Sequence, residues 1–184
     1  MRSCLEIAIF LERQPLILSI LKQVEALSLE DGWVGAGLIR NAVWNHLHGR
    51  PAESSLDGDV DVVYFDLNDT SPERDIAIEG RLSGENADIP WSVHNQARMH
   101  ARNGDAPYRN VEDAIRCWPE TATAIAARLN GANVEVLAPH GVQDFVDLIV
   151  RPTPAFLQKK SVYDIRISSK DWARRWPRLQ FRAD

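Results

Sequence analysis

Apolar positions between residues 4 and 24 recur in groups broken by Glu6, Glu12, Arg13 and Lys22, as in LEIAIFLERQPLILSILKQ. That pattern predicts an amphipathic helix packed on a domain, with Pro15, at home in a first turn, restarting a second helix. DGWVGAG predicts a short strand, Trp33–Gly35, leaving through a glycine-rich turn. In LIRNAVWNHLHG, Ile39, Val43 and Leu47 recur at i, i+4 and i+8, a helical face for which Gly49 is a natural stop. A polar loop, RPAESSLDG, leads into a strand, DVDVVYFD. Thr70-Ser71-Pro72-Glu73 is a helix start with an acid near the positive end, and the helix is expected to run to about Ser83.

In the second half WSVHNQARMH is read as extended, with Trp91, Val93, Ala97 and Met99 on one face, although NQARMHAR fits a helix equally. Asn110 caps a helix, and Pro119 opens another, ETATAIAARL, stopped by Asn130-Gly131. NVEVLAP is a strand, VQDFVDLIV a helix ended by Arg151-Pro152, RPTPAFLQKK a connection, and SSKDWARRWP a helix closed by Pro177. Strands and helices are thus intermixed. The expected fold is α/β (α+β), a mixed sheet of four or five strands flanked by helices. One domain is expected over 1–184, with N-terminal helices over about 3–29 and a basic helical extension over about 151–184.

At 184 residues, 45% hydrophobic and 26% charged, the chain has an ordinary globular composition with material for a sizeable core. No apolar run approaches the roughly 18 residues of a membrane span. The N-terminus lacks the charged start and small-residue cleavage site of a signal peptide. Two cysteines, Cys4 and Cys117, make no disulfide framework, so a reducing, cytoplasmic setting is expected. The net charge of −5 is unevenly spread: residues 1–90 carry 16 acids against 7 bases, and residues 151–184 carry 9 bases against 3 acids. A basic tail can bind phosphate or RNA. Its simpler use is to pair with the acidic body.

The chemistry concentrates in two places. Asp59 and Asp61 open a run that is otherwise apolar, and alternation puts them on one face with their Cα atoms about 7 Å apart. Carboxylates at that spacing can converge on Mg²⁺ or Mn²⁺ bridging to a substrate's phosphates. A calcium loop fails as an explanation. Asp57-x-Asp59-x-Asp61 imitates its opening, but Val62 and Asn68 stand where it needs glycine and glutamate. Upstream, Gly35-Ala36-Gly37 ends a strand where a helix begins. Small residues there let a phosphate approach the free N–H groups, and Arg40 could add a charge-assisted bond. Zinc is poorly supported: the five histidines show no His-x-x-x-His spacing and there is no paired-cysteine motif.

This pairing of a small-residue turn with an acid-x-acid strand resembles the polymerase-beta-type nucleotidyltransferase superfamily. Ala36-Gly37-Leu38-Ile39-Arg40-Asn41 looks like the GGAVRD run in the head domain of CCA-adding enzymes and bacterial poly(A) polymerases, and Asp59-Val60-Asp61 like their metal-binding pair. VGAGLIRNAVW, DVDVVYFD, NQARMH, EDAIRCWPETATAIAARL, VLAPHG and RWPRL are similar to a family of small bacterial nucleotidyltransferase-like proteins, over nearly the whole chain from Asp31. Ala36 and Asn41 depart from the glycine and aspartate usual at those positions. The resemblance implies a third acid, for which Asn95 and Glu135 are the positions available and Glu135 is favoured as the acidic one.

Together these readings predict a metal-dependent enzyme moving a nucleoside monophosphate from a nucleoside triphosphate such as ATP to an unknown hydroxyl. Asp59 and Asp61 would hold Mg²⁺ (or Mn²⁺), with Glu135 as the third catalytic acid. Gly35, Ala36, Gly37, Arg40 and Asn41 would hold the nucleotide, and Asn95 and Arg98 are possible acceptor or phosphate contacts. Only about 34 residues follow Val150, so a small molecule or protein acceptor is favoured over RNA. The alternative is a catalytically degenerate nucleotide-binding or RNA-interacting module on the same fold.

Overall fold

The structure is a computed structural model that describes residues 1–52, 56 and 58–183. Residues 53–55 of the polar loop, and Asp57 of the calcium-loop comparison, lie outside the described residues.

Two helices open the chain, α1 (Cys4–Glu12) and α2 (Pro15–Glu25). Ser3 Oγ accepts the Glu6 N–H at 3.2 Å and caps the first. Pro15 sits at the start of the second, where its missing N–H leaves no bond unmade. There follow β1 (Trp33–Gly35), α3 (Ala36–Leu47), β2 (Val60–Tyr64), α4 (Pro72–Glu85), β3 (Trp91–Asn95), α5 (Gln96–Asn103) and α6 (Val111–Arg116). The chain continues through β4 (Ala126–Asn130), β5 (Asn133–Leu137), α7 (Gln143–Val146), β6 (Ile149–Val150), α8 (Pro154–Leu157), α9 (Lys160–Ser169), α10 (Trp172–Arg175) and β7 (Gln180–Phe181).

Five strands form one sheet in the order β3-β2-β1-β4-β5; β6 and β7 pair separately. The sheet is mixed, since β2 and β3 run parallel, joined through α4, and the other neighbours antiparallel. Alternation divides its side chains between two cores. Val34, Val60, Val62, Tyr64, Val93 and Ala127 face the main core with Ile7, Leu11, Ile17 and Ile20 of the first two helices. Trp33, Val63, Phe65 and Ala126 face a smaller core with Ala97 of α5 and Val111, Ala114 and Ile115 of α6.

Five segments differ from the pattern reading, two of them C-terminal: RPTPAFLQKK holds the helical turn α8, and SSKDWARRWP is split, with Ser168 and Ser169 ending α9 and Trp172–Arg175 forming α10. ETATAIAARL yields no helix: Ala126–Asn130 is the strand β4, paired with β1 at Val34↔Ala127 and Gly35↔Ala126. Ala124, Ile125, Ala126 and Ala127 are all buried, so a sheet covered on both faces hides the two-residue period, and the alanines mimic a helix. Asn130-Gly131 is part of a hairpin turn into β5, with Gly131 at φ 62°. In 91–100 the extended part stops at Asn95, whose side chain accepts the Ala97 N–H at 3.0 Å and starts α5. VQDFVDLIV holds only one helical turn, Gln143–Val146, before Leu148 at φ 61° turns the chain into β6.

The basic C-terminal segment is built into the body. Trp172, Trp176 and Leu179 join the main core, and Trp44 meets the two tryptophan rings edge-on at 5.7 and 5.1 Å. No helix among the described residues is long and apolar enough to cross a membrane.

Candidate active site

Strand register assembles the site. Trp33 pairs with Val63 and Val34 with Val62, so the next step brings Gly35 beside Asp61. A Cβ built on Gly35 would stand 3.4 Å from Asp61 Cβ and 2.8 Å from Trp118 Cη2. Glycine is therefore required by what lies over it, because Gly35 itself has an extended backbone. Two residues on, a Cβ at Gly37 would meet the Asp59 carbonyl oxygen at 3.6 Å. Both acids thus lie beside the glycine turn. α3 begins at Ala36 with no side chain capping its first N–H groups, the arrangement that favours an anion there.

A cavity of about 220 Å³ opens at this corner, lined by Ala36, Asp61, His94, Trp118, Thr123 and Arg166 among others. Asp59 is exposed just before β2 begins, whereas Asp61 is half-buried. Burial, then the negative charge of Asp59, pushes the Asp61 carboxyl up to about 6, with His94, Arg40 and Arg166 opposing. A cation between the two acids would relieve both causes. Among the described residues no third His, Cys, Asp or Glu joins them as a metal-holding group. Two carboxylates suit an ion such as Mg²⁺ that is completed by water and substrate phosphates, not one caged by protein.

Arg40 is buried. Its guanidinium lies 4.7 Å from the Trp172 ring and 5.5 Å from that of Trp44, and it donates to Asn41 Oδ1 at 3.1 and 2.8 Å. Burial lowers its pKa to about 10, with Glu120 opposing and Arg166 adding to the shift. Lys170, exposed at the end of α9, is lowered by burial and then by Arg166 and Arg40, with Glu120 and Asp59 pulling the other way. The C-terminal segment therefore shares one electrostatic field with the acids.

Three residues singled out by the sequence stand elsewhere. Glu135 is on edge strand β5, three strands from β2, on the order of 14 Å at about 4.8 Å per strand. Its carboxylate is held by Arg128 at 2.7 Å and Asn130 at 2.8 Å, so the fold does not bring it to the acid pair. Asn95 is fully buried, and its amide ties Asp66 N–H, Asp66 C=O and Asp69 C=O to the start of α5. Arg98 is paired with Asp75, which also accepts from Tyr64 Oη and Asn95 N–H. Asn95 and Arg98 thus secure the loop after β2 and its neighbours.

His94, Trp118 and Arg166 line the cavity without having been singled out. His94 pairs with Val63 in the sheet and so shares the face of Asp61, a parity that the alternation in WSVHN carries. Trp118 and Arg166 arrive from distant segments, with no local signal. Two other cavities, of about 280 Å³ beside Leu21 and Arg128 and about 350 Å³ beside Trp33 and Arg109, contain neither acid.

Residues 22–181 match the family described as Nucleotidyltransferase. Among solved structures, one whose NMR structure is described as revealing a CCA-adding enzyme head domain is 34% identical, with a TM-score of 0.85 over 97% of this chain and 95% of that one. A CCA-adding enzyme in complex with ATP is 14% identical, TM-score 0.56, over 98% of this chain and 42% of that one. The Thermotoga maritima CCA-adding enzyme complexed with tRNA is 12% identical, TM-score 0.57, over 98% and 42%. The chain spans less than half the length of those two enzymes, and the likeness to them is one of fold. Among proteins of curated function, none matches.

Proposed function

We propose that this chain, which belongs to the nucleotidyltransferase family, transfers a nucleoside monophosphate from a nucleoside triphosphate to a hydroxyl acceptor at the corner formed by Gly35, Asp59 and Asp61. The observation that carries the reading is the closeness of the turn to the acid strand: Gly35 against the Asp61 side chain and Gly37 against the Asp59 backbone carbonyl. The uncapped start of α3 would take phosphate oxygens on its N–H groups. Asp59 and Asp61 would hold Mg²⁺ or Mn²⁺ together with those phosphates. When bound, such an ion neutralises charge developing on the phosphates and activates the attacking oxygen. The acceptor oxygen forms a bond to the α-phosphorus as the bond to the β-phosphate oxygen breaks, its proton passing to solvent and pyrophosphate leaving.

A small molecule or protein fits as acceptor better than RNA, because much of the C-terminal charge is paired within the chain. Arg151 bonds Asp144, Lys159 bonds Asp105, Arg166 bonds Glu120 and Arg174 bonds Asp171. A nucleotide-binding module without transfer is the second reading. It is favoured by the lack, among the described residues, of a third acid or histidine completing a metal-holding group with Asp59 and Asp61.

The test is pyrophosphate release from each of the four nucleoside triphosphates with Mg²⁺ or Mn²⁺ and a panel of hydroxyl acceptors. Release that disappears in Asp59→Asn and Asp61→Asn supports the enzyme. Binding without release under every condition supports the module.

A further inference from the structure

We infer that Arg166, carried by the C-terminal helix α9, is the side chain that grips the phosphate chain of the nucleotide, and that buried Glu120 is the positioning residue that aims it. The inference rests on the proposed nucleotide site and adds to it a residue some hundred positions from the acid pair.

Arg40 is the candidate that the sequence offers for this role, but its guanidinium is committed. It is 9% exposed, stacked on Trp172 and bonded through Nε and Nη2 to Asn41. Arg166 is placed differently. Its side chain lines the cavity that contains Asp61, and it keeps 32% of its surface exposed. Nε and Nη2 donate to Glu120 Oε1 and Oε2 at 2.6 and 3.3 Å. Nη1 has no hydrogen-bond partner among the described residues. A guanidinium carries five N–H donors in a planar fork, so fixing one edge on a carboxylate leaves the other edge to take phosphate oxygens.

Glu120 is built for holding such a partner. It is fully buried, accepts Thr123 Oγ1–H at 2.5 Å, and its backbone is pinned by the Thr123 and Ala124 N–H groups and by a bridge to Pro152. A carboxylate so enclosed holds its cation in one place. The C-terminal segment is thereby a wall of the site. Its Trp172 ring is near both guanidinium groups, Arg40 at 4.7 Å and Arg166 at 5.9 Å.

The experiment compares ATP and AMP binding by calorimetry with Mg²⁺ present, in the full chain. The variant is Glu120→Gln with Arg166→Gln, which replaces the ion pair by two neutral amides. ATP affinity should fall at least tenfold, with AMP affinity within twofold of the unaltered protein. Glu120→Asp, which keeps the charge but shortens its reach, should lower ATP affinity severalfold with AMP unchanged. ATP affinity within twofold in the double variant, while Asp61→Asn still weakens it, overturns the inference alone. No ATP binding by the unaltered protein overturns both the inference and the site reading. Should the double variant fail to fold, the side-chain Nε–H signals of the unaltered protein decide. Addition of ATP should shift Arg166 more than Arg40, and a shift of Arg40 alone overturns the assignment.

Discussion

Gly35 and Asp61 stand side by side on neighbouring antiparallel strands, so close that a methyl on the glycine would lie 3.4 Å from Asp61 Cβ. The same methyl would lie 2.8 Å from Trp118 Cη2, a contact that something must relieve. Trp118 has little room to yield by backbone movement, because its N–H donates to Ile115 C=O and its own carbonyl accepts from Thr153 Oγ1. Gly35→Ala is therefore expected to destabilise the protein by about 1–3 kcal/mol, as overpacking does. Gly37→Ala meets only ordinary contact at 3.6 Å and places a better helix former in α3. It should leave stability unchanged or raise it by up to about 1 kcal/mol. Urea unfolding midpoints of the two variants decide; equal losses would contradict this account of Gly35.

Glu135 provides a control on the site's location. Its carboxylate is paired with Arg128 on a sheet edge and is well exposed, so Glu135→Gln removes a surface pair worth about 0–1 kcal/mol. Pyrophosphate release, if the protein performs it, should stay within twofold of the unaltered chain. A loss as complete as that of Asp61→Asn would mean that β5 reaches the reacting group.

Asp75 anchors the other side of β2 and should dominate acid sensitivity. Burial pushes its carboxyl up, but the His94 ring 3.8 Å away and bonds from Arg98, Tyr64 and the Asn95 N–H outweigh this and hold it at about 2. A folded pKa below the ordinary 3.8 means that its contribution is present above pH 3.8 and is lost as pH falls through 2. The shift corresponds to about 2–3 kcal/mol. Asp75→Asn strands the Arg98 charge and should cost about 3–5 kcal/mol at pH 7, less near pH 2. Denaturant unfolding at both pH values checks this; a penalty equal at both would exclude the ionised pair as its source.

Legibility followed the range of the signal. The acid pair, the glycine turn and the helix between them were readable because alternation and turn chemistry act over a few residues, and the structure sets Gly35 beside Asp61 as those local patterns imply. The pattern of β4 suggests a helix because a central strand rich in alanine and buried on both faces carries no two-residue period. Arg166 and Trp118 carry no local signal, since what brings them to Asp61 is tertiary: Glu120 clasping Arg166, and Thr153 Oγ1 donating to the Trp118 carbonyl. Glu135 reads as an acid on a neighbouring strand, and no local pattern reveals that two strands stand between β5 and β2.

Asp61 should make the metal-free protein less stable as pH rises, the reverse of Asp75. Its folded pKa of about 6 lies above the ordinary 3.8, so the native state holds this proton more tightly than the unfolded chain does. The stabilisation is complete below pH 3.8 and is lost as pH climbs through 6, up to about 3 kcal/mol for a shift of that size. Asp61→Asn imitates the protonated acid with a neutral amide. It should stabilise the metal-free protein at pH 8 by as much as about 3 kcal/mol and change little at pH 4. Adding Mg²⁺ at pH 8 should raise the unfolding temperature of the unaltered chain more than that of Asp61→Asn, because only the former has two charges to neutralise. A stability difference that does not vary with pH would mean that neither burial nor the Asp59 charge raises the Asp61 carboxyl in the folded protein, and would leave no charge there for a cation to relieve.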